Sequence, residues 1–171
     1  MTHATSSGSD ALSAYLNDHI AGAAAGIQLA ERIAKGTDDQ GLSALLGRFV
    51  DEFREDYDTV ERIMDSKGIS RDRAKQALAL GGEWFGRLKH VTPMLRSGSE
   101  TLVALEDLEL LSLGIEGRTM LLRGLQRIAD RVPLEGLDLA TLEERARRQR
   151  DELEPFRLRF LEAAAASRDA G

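Results

Sequence analysis

Apolar residues recur along this chain with the period of an α-helix, in four long stripes and one shorter one. The first stripe is Leu12, Leu16, His19, Ala23, Ile27, Ala30 and Ala34, which predicts a helix over about 10–35. Gly36 suits the position just past its end. Thr37 and Gln40 then have capping-box spacing, with Asp38 and Asp39 in the first turn, where the helix dipole favours acids. The second stripe, Leu42, Leu46, Phe49, Phe53, Asp56/Tyr57, Val60 and Met64, predicts a helix over about 37–67, closed by Gly68. With at most a turn between them, the two helices form an antiparallel hairpin. Ser70 opens the weaker stripe, Ala74, Leu78, Trp84, Phe85, Leu88 and Val91. It predicts an additional helix over about 70–92, bent at Gly81-Gly82, that covers a flank of the bundle.

The stretch from about 98 to 131 is apolar on most of its circumference. One line runs Ala104, Leu108, Leu111, Ile115, Arg118, Leu122, Leu125. Another runs Leu102, Glu106, Leu110, Leu113, Gly117, Leu121, Gly124. Such a helix is expected to lie among several others, opened by a Ser97/Glu100 capping box and stopped at Val132-Pro133. After a short loop, Asp138 caps a last helix over about 138–167, facing inward through Leu139, Leu142, Ala146, Gln149, Leu153, Phe156, Phe160 and Ala163. Pro155 predicts a local kink near Asp151. Residues 1–9 read as a disordered tail, and 10–168 as one helical-bundle domain.

The chain has 171 residues, 42% hydrophobic and 30% charged, enough for one domain with a sizeable core. Three prolines and 5% aromatics favour an all-α fold. A net charge of −6 argues against nucleic acid as a partner. The run Arg145, Arg147, Arg148, Arg150 alternates with acids and reads as a solvated face laced with i,i+4 pairs. No apolar run is long enough to span a membrane, and the N-terminus lacks the basic flank and apolar core of a signal peptide. With no cysteine, disulfides and thiolate sites are excluded, and a cytoplasmic location is expected.

Two hairpins joined by a connection of about 30 residues have the topology of ferritin-like bundles. The chain resembles the ferritin-like superfamily. Tyr15-Leu16-Asn17-Asp18-His19-Ile20-Ala21-Gly22 and Leu105-Glu106-Asp107-Leu108-Glu109 are also similar to a family of small uncharacterised bacterial bundles of that type. The resemblance implies an up-down-down-up four-helix bundle with an extra helix in the crossover between helices 2 and 3. Metal-binding relatives use a carboxylate from each of two helices and Glu-x-x-His from the other two. Here Leu16 precedes His19 by three and Arg87 precedes His90, so that motif is absent.

Counting from each interhelix turn at 1.5 Å per residue brings His19, Glu52, Asp56, Arg118 and Gln149 to one mid-height level. We expect a polar layer there, with the Arg118 guanidinium paired with Asp56 or Glu52 while His19 and Gln149 complete the hydrogen bonds. Glu106 is expected at solvent or paired with Arg87 or Lys89. Ala21-Gly22-Ala23-Ala24-Ala25-Gly26 is expected to let neighbouring helices approach closely, with space for a ligand as the alternative. No catalytic residue, metal site or cofactor is expected. These readings point to a non-enzymatic structural or interaction module, possible as a homodimer that associates near the crossover helix, its protein partner unidentified. The alternative is a metal- or cofactor-binding oxidoreductase with a non-standard carboxylate site.

Overall fold

The computed structural model describes residues 4–70, 100–131 and 136–166. Within these the chain is all-helical: α1 (Ala4–Gly36), α2 (Gln40–Ser66), α3 (Glu100–Arg127) and α4 (Leu139–Ala166). The expected crossover helix, the Ser97 cap and the Val132-Pro133 stop lie outside the described residues. No helix among them is long and apolar enough to cross a membrane.

The helix ends follow local chemistry. Asp39, rather than Thr37, caps α2: its carboxylate accepts from Leu42 N at 3.0 Å, while Thr37 Oγ1 accepts from Asp39 N. At the other end Gly68 N donates to Asp65 O and Ile69 N to Met64 O, the two bonds of a Schellman turn. Gly68 makes this possible by taking φ +64°, which a Cβ would disfavour. Asp138 caps α4 as the sequence suggests, accepting from Thr141 N at 3.0 Å. α1 starts at Ala4, ahead of the expected position. α3 gives way after Arg127 to tighter i→i+3 turns through Ile128 and Arg131, four residues short of its expected end. α4 continues through Pro155.

α1 packs on α2 and α3, and α4 packs on α3 and α2, while the diagonal pairs never bring Cα atoms within 8 Å. Paired residues run in opposite senses across each seam with α3 or α4: Arg32 with Asp107 and Tyr15 beside Gly124, Arg123 with Glu143 and Arg157 with Glu109, Arg48 with Glu152 and Arg145 with Glu55. The core forms two apolar clusters. One gathers Leu29, Leu46, Phe49, Phe53, Leu108, Leu111 and Leu153, and the other Leu16, Ile20, Ile63, Met64, Leu122, Leu125 and Leu139. Each such side chain stabilises the fold by about 1.5–3 kcal/mol through removal from water.

Two expectations about packing change. α3 is a corner of the bundle rather than its centre, since Leu113 and Met120 on its outer side are 69% and 59% exposed. Nor are the two glycines of the α1 Ala/Gly stretch points of close helix contact: a Cβ on Gly22 or Gly26 would meet no atom within 4 Å, and no residue from Ala21 to Gln28 is fully buried.

Candidate functional site

The two apolar clusters meet at a layer of charge. α2 crosses it between Phe53 and Val60, α3 between Ile115 and Leu121, because Asp56 and Arg118 occupy inward positions of otherwise apolar stripes. Their helices are diagonal to each other, so only a long side chain can close the distance. Arg118 does so: its Nη1 lies 2.6 Å from Asp56 Oδ2, and its Nη2 donates to Gln149 Oε1 on α4. The guanidinium carbon also sits 4.9 Å above the Phe53 ring, which supplies a cation–π contact. Arg118 Nε is buried without a protein acceptor.

The network then runs outward to the α2/α4 seam. Gln149 Nε2 donates to Glu52, whose other oxygen lies 2.6 Å from Arg148. Arg145 reaches Asp56 Oδ1 at 3.2 Å and Glu55 at 2.8 Å. Three guanidinium groups (Arg118, Arg145, Arg148) thus face three carboxylates (Asp56, Glu52, Glu55), and the cluster has no excess charge. Burial pushes the Asp56 carboxyl above its ordinary value; Arg118 and Arg145 pull it back, and Glu52 and Glu55 add to the rise. Burial likewise pushes Arg118 down, against the attraction of Asp56.

Of the five residues expected in the layer, four meet: Glu52, Asp56, Arg118 and Gln149. His19 does not join them. Its ring stands edge-on to Tyr15, with centroids 4.5 Å apart, and no hydrogen bond links it to the other four. Tyr15 Oη lies beside Gly124 of α3, and His19 stands one turn on along the same side of α1. The half-buried imidazole is held below its ordinary value by desolvation, which Asp18 partly opposes. Glu106 lies twelve residues from Arg118 on α3, about 18 Å along the axis, and is not part of the layer.

Sequence reasoning missed Arg145, Arg148 and Glu55. The basic run is exposed at Arg147, Arg148 and Arg150 and carries the i,i+4 pairs Arg147–Glu143 and Arg148–Glu152, as a solvated face should, but Arg145 and Arg148 also cross to α2 and Arg150 crosses to Glu116 of α3. One signal was present. Arg145 precedes Gln149 by one turn, on the face that an antiparallel α2 must meet. Below the layer, a shallow groove of about 540 Å³ lies between α2 and α4, lined by Glu55, Asp58, Thr59, Arg62, Leu142 and Arg145. Its mixed charges select no single class of ligand. Among the described residues, no three His, Asp or Glu side chains are placed to hold a metal ion.

Among the described residues, fold and layer together define an all-α bundle of four helices with a charge-balanced polar centre. Comparison with protein-family models, with curated proteins and with solved structures gives no match.

Proposed function

We propose that the chain is a non-enzymatic structural or interaction module of ferritin-like, up-down-down-up topology, in which an arginine-centred ion network stands where metal-binding bundles of that type hold their ions. The observation that carries this reading is the matched cluster of three guanidinium groups and three carboxylates. A cation placed against Asp56 would meet the Arg118 charge, already 2.6 Å from the same carboxylate. A carboxylate site recruiting Glu106 would have to bridge about 18 Å along α3. The opposed residue order across the α1/α3, α2/α4 and α3/α4 seams supports the topology. In this role the layer sets helix register: a one-turn slip would leave Arg118 and Asp56 buried without each other. The module associates as a homodimer through the surface near residues 70–92.

Elemental analysis tests the central claim, on protein desalted after anaerobic loading with Fe(II) or Mn(II). Substoichiometric metal is expected, alike in wild type and in Asp56→Asn. Stoichiometric metal that Asp56→Asn abolishes would overturn the reading. Sedimentation over a range of concentrations checks the homodimer.

A further inference from the structure

α4 changes character at Pro155. Ahead of it the helix is pinned by buried side chains at Leu139, Glu143, Ala146, Gln149 and Leu153. From Glu154 to Ala166 no residue is fully buried. Pro155 has no N–H, so the Asp151 carbonyl loses its helical donor and the ladder is weakest at this junction.

Beyond the proline, Phe156 and Phe160 stand one turn apart, partly buried against the cluster of Leu29, Leu46 and Phe49. The Phe156 ring also closes over Gly41 of α2, where a Cβ would lie 3.7 Å from it. Arg157 reaches Glu109 of α3 at 3.2 Å, a pair that solvent screens on its half-exposed Glu109 side. Arg159 is placed differently. Its guanidinium carbon lies 4.6 Å from the centre of the Phe156 ring, and its Nη2 lies 2.7 Å from Asp39 Oδ2. The other oxygen of Asp39 accepts from Leu42 N as the cap of α2. One carboxylate therefore both caps α2 and fastens the end of α4.

We infer that residues 156–166 form a releasable arm of α4, hinged at Pro155 and latched by Arg159 to the Asp39 cap of α2, which opens while the rest of the bundle stays folded. A helix shorter than about 12 residues is marginal by itself, so detachment and melting of the arm coincide. Opening bares Phe156 and Phe160 beside Leu158 and Leu161, which are already exposed.

Residue-resolved hydrogen exchange of the full-length protein tests this. Protection is expected to be even across 158–164 and to step up roughly tenfold or more ahead of Pro155. Phe160→Ala should speed exchange in the arm about tenfold or more and leave 142–153 unchanged. Asp39→Asn separates latch from cap, because asparagine still caps α2 but offers Arg159 no charge. It should speed exchange in the arm about threefold, the scale of one exposed ion pair, with the amides of α2 unchanged. Pro155→Ala should restore the bond to the Asp151 carbonyl and slow the arm toward the rest of α4. Protection that declines smoothly from Gln149 to Ala166 would overturn the inference, since that is ordinary end fraying. So would a Phe160→Ala variant whose exchange rises equally on both sides of Pro155, or an Asp39→Asn variant whose arm exchanges as in wild type.

Discussion

Arg118→Leu cuts the polar layer at its centre. The Arg118 and Asp56 side chains are 13% and 6% exposed, with charged atoms 2.6 Å apart, so solvent screens the pair weakly. Unit charges about 4 Å apart attract by about 4 kcal/mol at an effective dielectric of 20. Desolvation, the leading effect on both groups, consumes part of this. The larger loss comes from orphaning a partner, since removing one member of a buried pair costs about 3–5 kcal/mol. Arg145 remains 3.2 Å from Asp56 in the variant and shares its charge. The expected loss for Arg118→Leu is therefore at the low end, about 3 kcal/mol. Asp56→Leu leaves Arg118 with Gln149 and the Phe53 ring but no carboxylate in contact, and should cost at least as much. The double variant removes both buried charges and sets two leucines against Phe53. It should be no less stable than either single variant, with a coupling energy of about 2 kcal/mol or more. Urea unfolding followed by far-UV circular dichroism measures all four proteins, provided the slope m stays constant across the cycle. The exposed pair Arg32–Asp107 serves as the control. A coupling below about 0.5 kcal/mol, the range of exposed pairs, would refute the layer as an energetic unit.

The remaining predictions concern a turn and a titration. Gly68→Ala forces a side chain into φ +64° and should cost about 1–2 kcal/mol in thermal unfolding; an unchanged midpoint would mean that the Schellman turn relaxes freely. His19 titrates below its ordinary value of 6.5 in the folded chain, chiefly because burial disfavours the imidazolium. A depressed folded value means the contribution to stability is complete above pH 6.5 and is lost as pH falls through the lower folded value. His19→Gln should flatten that part of a plot of urea midpoint against pH. A curve identical to wild type would show that the imidazole is solvated.

Some of this molecule was legible because it depends on spacing alone. The α2 stripe from Leu42 to Met64 is buried as its period requires, with Tyr57 half-buried, and Asp138 and Gly68 act at the helix ends their chemistry suits. Asp56, Glu52, Arg118 and Gln149 could be set at one height because helical rise is constant, so counting from the turns measures distance along the bundle. Counting does not measure rotation. His19 packs on Tyr15 apart from the layer, and Arg145 and Arg148 reach α2, because packing across the seams sets how each helix turns about its axis. The place of α3 was hidden for another reason. An apolar side chain has the same signature in sequence whether it faces the core or an outer surface, so Leu113 and Met120 read as buried until the four helices were assembled and left them outside. The sequence by itself determined the four described helices, the ends marked by Gly68 and Asp138, and the height of the charged layer, all consequences of local geometry. Only the tertiary structure decided which charges pair across that layer and which apolar face is left uncovered, because both depend on the mutual rotation of helices distant in the chain.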